Sequence, residues 1–380
     1  MSKQVFVLAP DSFKESMTAK EVCNAMEKGL RKVFPEAEYV HVPMADGGEG
    51  TVQSLVDASG GQMFEKVVKG PLGQPVTAKF GILGDGVTGA IEMAAASGIH
   101  HVTPETKNPL ITSTYGTGEL IQECLDRGIK RIIIGTGGSA TNDGGTGMAS
   151  ALGAKFLDEA GQELPHGGGS LDKLTRIDVS ALDPRLGELE MIVACDVTNP
   201  LCGVHGASRV FGPQKGATPQ MVEQLDSNLA HYAKVVKQQL GKEVRDVPGA
   251  GAAGGLGAGL LIFTQAKLQK GIEIVIEYTE LKRHIARADY VFTGEGGIDF
   301  QTKFGKTPYG VARMAKEAGK KVIAVAGYIG EGIDTLYDIG IDAVFGIVPG
   351  AQELKKVLEE GPQNVERTCE NIARVLKFNR

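Results

Sequence analysis

Short apolar runs and helical periodicities alternate at both ends of this chain, and a two-residue alternation takes over between them. Gln4 to Ala9 is an apolar run of β type, followed by the polar stretch Pro10 to Lys14. Val22, Ala25, Met26, Leu30 and Val33 then recur at helical spacing, and Thr18 with Glu21 just ahead has the spacing of a capping box. Tyr39 to Met44 is the next expected strand, and Val52, Leu55 and Val56 mark a second helix behind the loop Ala45 to Thr51. This opening is β-α-β-α.

From Glu65 the rhythm changes. Lys66 to Ile82 alternates apolar and polar residues around Gly-Pro and Gly-Gln-Pro turns, as antiparallel strands do. Further on, a helix over Gly118 to Arg127 closed by Gly128, a buried strand over Arg131 to Gly135, a helix around Met148 to Leu152 and a long amphipathic helix over Met221 to Leu240 are expected. The β-α rhythm returns after Ile285, with strands at Tyr290 to Thr293, Lys321 to Ala326 and Ala343 to Val348, a helix over Tyr309 to Ala318 and a terminal helix. The pattern implies an α/β protein of two α/β domains. One, residues 1–64 plus 285–380, is a doubly wound parallel sheet of flavodoxin or Rossmann type; the other, residues 65–284, is a mixed α/β domain inserted into it.

A length of 380 residues favours two hydrophobic cores over one. No apolar run approaches the roughly 18 residues that cross a bilayer, and the first residues do not read as a leader, so a cytoplasmic protein without a membrane partner is expected. The net charge of −6, without a basic block, argues against a nucleic-acid partner. Five cysteines without a C-x-x-C read as reduced, buried thiols. The composition says nothing of oligomeric state. Glycine is the informative excess: 53 residues, about twice the ~7% average, without low complexity, which places glycines in specific loops.

Four of those loops combine glycine with carboxylates or a lysine: Asp11-Ser12-Phe-Lys14, Asp46-Gly47-Gly48-Glu49-Gly, Gly135 to Gly145 with Ser139, Asn142 and Asp143, and Gly294-Glu295-Gly-Gly-Ile-Asp299. Each follows an expected strand end, where parallel sheets bind ligands and where glycine lets backbone N–H groups approach an anion. Carboxylates repel an anionic substrate unless a divalent cation lies between them, and phosphoryl transfer supplies that cation. Lys14, Lys215 and Lys306 are the lysines placed to neutralise remaining charge.

Standard signatures fit less well. Phe300 to Thr307 ends in Gly-Lys-Thr but has Phe300 where a P-loop needs glycine. Gly135, Gly137 and Ala140, and again Gly249, Gly251 and Gly254, satisfy dinucleotide-type spacings, which keeps a nicotinamide-dependent hydroxy-acid dehydrogenase as an alternative. A non-catalytic sugar-acid binding protein is another. No H-E-x-x-H is present, and Thr141 stands where a G-x-S-x-G elbow around Ser139 needs glycine.

Seven motifs in order, namely Ala9 to Lys14, Ala45 to Thr51, Gly137 to Gly145, Cys195 to Cys202, Phe211 to Ala217, Gly249 to Gly255 and Thr293 to Gly296, resemble those of type I glycerate kinases. Glu15-Ser-Met-Thr18 departs from the Gly-Ser-Leu usual there. The resemblance implies ATP-dependent phosphorylation of D-glycerate, usually at the 2-hydroxyl, with magnesium, in a cytoplasmic enzyme of two α/β domains. Such a kinase needs cations and backbone donors on the phosphates, a carboxylate–metal bridge and a proton acceptor. Lys14 and Lys306 are assigned to anion neutralisation, Asp196 and Glu295 to metal or base work, and Asp11, Ser12, Asp46, Gly47, Gly48, Glu49, Ser139, Asn142, Asp143, Asn199, Lys215, Gly294 and Asp299 to substrate or nucleotide binding. Asp196, after an apolar strand, has turn capping as its alternative role.

Overall fold

The structure, a computed structural model, describes residues 3–378, and among these no helix is long and apolar enough to cross a membrane. The chain divides into two compact units, one of Met1–Asp46, Gln53–Gly60 and Ile272–Arg380, the other of Gly47–Val52 and Gly61–Gly271. The sequence pattern implies changeovers at 64/65 and 284/285; the first instead comes at 60/61, with Gly47–Val52 also counted in the second unit, and the second at 271/272, because the helical residues 272–286 belong with the first unit.

The first unit is built on five parallel strands: Val5–Leu8, Glu38–His41, Tyr290–Ile298, Lys321–Ile329 and Ala343–Gly346. Counted in chain order within the unit, their order across the sheet is 2-1-3-4-5, the flavodoxin-type doubly wound arrangement. Phe6 pairs in register with Tyr39 on one side and Tyr290 on the other, and its ring lies 5.4 and 5.5 Å from theirs, so aromatic contacts fix the alignment of three strands. Helix Ala19–Arg31 begins at Thr18, where the capping box with Glu21 forms in both directions, and its buried face of Val22, Cys23, Met26 and Leu30 joins Val365, Cys369 and Ile372 of the C-terminal helix Gly361–Phe378 in one core.

The second unit holds a six-stranded sheet in the order Gln265–Gln269, Glu190–Ala194, Arg131–Gly135, Thr88–Glu92, Pro75–Ile82, Gln62–Lys69. The first four are parallel and the last two antiparallel, so the alternating stretch forms the hairpin its pattern implied. Leu120, Ile121, Cys124, Ile132, Ile134, Met191 and Val193 pack on one face, while Tyr232 and Val236 of helix Pro219–Leu240 belong to a further core with Phe156 and Phe263.

Three local expectations change. The strand expected to stop at Thr293 runs to Ile298, because Lys321–Ile329 is equally long and pairs with it as far as Ile329; Gly294 and Glu295 are therefore strand residues opposite Val325 and Ala326. The second strand ends at His41 rather than Met44. Gly249 to Gly255 is not a dinucleotide turn. Its Gly254 has φ +68, and a Cβ there would sit 1.9 Å from the Thr141 carbonyl oxygen, so this stretch supports the Gly135–Gly145 loop from beneath.

Candidate active site

In the first unit, the site grows from the point where the sheet order reverses. Strands Val5–Leu8 and Tyr290–Ile298 are neighbours there, and their connections leave in opposite directions and open a crevice at the carboxyl ends. The Asp11 amide donates to the Gly294 carbonyl at 2.8 Å, which holds the Asp11–Lys14 loop against the second strand. The Asp11 carboxylate accepts from the Ser12 amide at 2.6 Å and hydroxyl at 3.2 Å, and from the Thr307 hydroxyl at 2.5 Å. Glu295 accepts from the Thr302 hydroxyl at 3.0 Å and lies 3.5 Å from the Lys306 amine.

Burial raises the Asp11 pKa to about 6 against the lowering effect of the Thr307 and Ser12 hydrogen bonds, with Asp46 adding repulsion. Burial likewise raises Glu295 to about 7; Lys306 and Thr302 oppose the rise, and Asp11 and Asp46 add to it. Three carboxylates thus share one region with one lysine, and Lys306 precedes the helix Thr307–Glu317, whose N-terminal amides favour an anion. Asp299 turns inward to cap the short turn Phe300–Phe304, accepting from the Gln301 amide at 2.8 Å, so it shapes the loop. Lys14 is exposed in a loop closed by the Phe13–Met17 bridge.

In the second unit, the carboxyl ends of the parallel strands meet the Gly47–Val52 segment. Glu92 ends its strand and accepts from the Val52 amide at 3.1 Å, which fastens that segment. A cleft of about 510 Å³ results, walled by Gly47, Gly48 and Glu49, by Gly135, Gly137 and Gly138, and by Ala94, Ala95 and the Ile99–His101 turn, with Thr77, Lys79 and Glu92 along the sheet. Asp196 follows Glu190–Ala194; it is exposed, and its carboxylate accepts from the Gly271 amide at 3.0 Å. Asn199 beyond it is used structurally: its side-chain amide donates to His205 and its carbonyl accepts from Gly249 and Gly251.

The Gly135–Gly145 loop does not present the side chains expected of it. Asp143 is fully buried and accepts from the Thr114 amide and hydroxyl at 2.8 and 2.9 Å and from the amides of Gly145 and Gly147 at 3.1 and 3.2 Å. Asn142, also fully buried, donates to the Ser208 hydroxyl at 2.9 Å, and its Oδ1 has no hydrogen-bond partner among the described residues. Lys215 is 1% exposed and donates to the Thr141 carbonyl at 2.6 Å; burial lowers its pKa to about 7, against the pull of Asp143. Ser139 is nearly buried and its backbone pairs with Gly98. These side chains stiffen the loop from within and leave its backbone and glycines to face the cleft.

The glycerate kinase family profile matches residues 6–377. This chain belongs to that family. A glycerate kinase of Haemophilus influenzae is 55% identical over 373 residues, 98% of this chain and 99% of that one, and a glycerate 2-kinase of Escherichia coli K12 is 53% identical over 97% of each. A crystal structure ascribed to a glycerate kinase 2 from Salmonella typhimurium LT2 superimposes with a TM-score of 0.93 at 48% identity, covering 100% of this chain and 99% of that one.

Within this glycerate kinase family chain, the sequence reading missed the cleft residues Thr77, Lys79, Glu92, Ala94, Ala95, His100 and His101. Their signal was weak: Glu92 ends a five-residue strand, and its neighbour Gly135 lies far along the chain. Three carboxylates or other candidate ligands that converge closely enough to hold a metal ion are not found among the described residues.

Proposed function

We propose that this chain transfers the γ-phosphate of ATP to the 2-hydroxyl of D-glycerate, giving 2-phosphoglycerate and ADP, with magnesium. The observation that carries the reading is the grouping of Asp11, Asp46 and Glu295 with Lys306 at the switch point of a doubly wound sheet. Membership of the glycerate kinase family supports the acceptor, and the E. coli relative named glycerate 2-kinase supports the position.

The residues fit magnesium on chemical grounds. They are hard oxygen donors, and Asp46 lies close enough to repel both Asp11 and Glu295, so that a cation among them is favoured. Without a third converging side chain, phosphate and water oxygens would complete the shell, as is usual for this ion. When bound, magnesium supplies the positive charge that lets phosphate oxygens lie beside carboxylates.

The chain's own groups do the rest. Lys306 and the amides opening Thr307–Glu317 hold an anion in place. Lys14, at the exposed loop tip, adds a second cation. Asp196 is the proposed acceptor of the hydroxyl proton, with the Gly271 amide orienting its carboxylate. The test is ADP release from ATP and D-glycerate with and without Mg²⁺, followed by phosphorus NMR of the product. Magnesium-dependent ADP and a 2-phosphoglycerate resonance are expected. NAD(P)H turnover without ATP consumption would instead restore the dehydrogenase reading.

A further inference from the structure

We infer that the 510 Å³ cleft of the second unit is the nucleoside subsite, taking the adenine and ribose of ATP. This rests on the phosphotransfer reading and deepens it.

Size comes first. The cleft falls within the range that encloses a drug-sized ligand and far exceeds what a three-carbon acid fills. Charge comes second. Glu49 and Glu92 both line it, and its lysine, Lys79, lies 3.8 Å from Glu65, so an anionic acid or a phosphate meets net repulsion while a neutral base with hydroxyls does not. Carboxylates are also the groups that accept hydrogen bonds from a ribose diol.

The walls suit a flat heterocycle. Gly135, Gly137 and Gly138 present bare backbone, and because the Ile99 amide donates to the Gly138 carbonyl at 2.8 Å, this backbone is continuous with the small apolar surface of Ala94 and Ala95. The His100 ring packs so tightly over Gly98 that a Cβ there would lie 2.7 Å from it, and His101 accepts or donates at 2.9 Å to the Ala95 carbonyl, so the turn carrying both rings is fixed before any ligand arrives. The exposed His100 ring, 4.1 Å from the His101 ring, offers a stacking surface at the cleft wall. Glu92 holds the facing Gly47–Val52 wall through the Val52 amide.

The test uses adenosine, which has no phosphate and needs no turnover. Saturation-transfer NMR on the full chain is expected to show adenine and ribose protons in contact with the protein, undiminished by excess D-glycerate. Ala95→Phe, which fills the cleft, is expected to lower that signal at least five-fold, and His100→Ala, a surface change, to raise the KM for ATP at least five-fold with the KM for glycerate within two-fold of wild type. Melting temperatures establish that both variants fold, and His100→Ala carries the test if Ala95→Phe does not. Adenosine that fails to bind wild type, binds both variants equally or is displaced by D-glycerate overturns the inference. If ADP forms with an unaltered KM for ATP in both variants, the cleft is wrong and phosphotransfer stands; if adenosine binding is lost in the variants while no ADP ever forms, the cleft stands and phosphotransfer falls.

Discussion

Two regions of this molecule look alike as sequence and behave oppositely as structure. Asp11, Asp46, Glu295 and Lys306 in the first unit, and Asn142, Asp143 and Lys215 in the second, each set acidic or amide side chains and a lysine among glycines. In the first, the carboxylates are only partly buried, they repel one another, and Lys306 stands 3.5 Å from Glu295. In the second, Asp143 is saturated by four protein donors and Lys215 is sealed in beside it. Glycine-and-carboxylate composition therefore marks a shaped loop, while access decides whether its charges meet a ligand or brace the wall that does.

The sharpest way to break this contrast is to remove one charge from each region. Asp11→Asn keeps the shape but not the charge, and kcat is expected to fall on the order of 10²-fold or more with the melting temperature unchanged or higher, since the buried charge is lost. A stable Asp11→Asn variant with native kcat would take Asp11 out of the chemistry. Asp143→Asn is expected to show the reverse: about 3 kcal/mol less stability in urea, because an amide cannot accept from all four donors, with turnover per folded molecule within ten-fold of wild type. Full stability in that variant would show that the network braces nothing.

Lys215 sharpens the comparison through pH. Its folded pKa, about 7, lies below the 10.5 of an unfolded lysine, so folding is penalised by the charge most fully below pH 7, and the penalty fades as pH rises from 7 to 10.5. Lys215→Met removes the penalty. The stability difference between variant and wild type is expected to be flat below pH 7 and to shift toward wild type between pH 7 and 10, read from urea midpoints at each pH. A difference independent of pH across that span would mean that the amine is charged throughout.

The smallest expected effect lies at Glu15, a non-glycine residue that adopts φ +62. Glu15→Gly relieves the left-handed strain at the cost of a more flexible unfolded chain, for a net gain of ~1 kcal/mol or less and unchanged kcat. A loss of stability would show that the Glu15 side chain has a compensating contact.

What was legible in the sequence was what is local. Thr18 and Glu21 announce their helix because the capping box closes over three residues, and the flavodoxin-type half shows itself through strands and helices that recur at short range. The grouping at Asp11 and Glu295 was legible as two strand ends, though not that the Glu295 strand continues, since that depends on Lys321–Ile329 beside it. Asp143 and Lys215 looked like ligand residues because nothing near them in the chain reveals burial: Thr114 and Thr141, their partners, come from distant turns. The cleft at Glu92 escaped for the same reason.

The interleaving of the two units also sets a timetable for the ribosome. Gly61–Gly271 can complete its six-stranded sheet once its last strand, Gln265–Gln269, has emerged. Val5–Leu8, made first, then has only Glu38–His41 to pair with, and its other neighbour, Tyr290–Ile298, is synthesised after the whole second unit. The first helix waits longer still for Gly361–Phe378, the helix that covers it. Nascent chains of this protein therefore carry an unfinished sheet edge at their N-terminus through most of translation, the stage at which an exposed edge is open to wrong pairing.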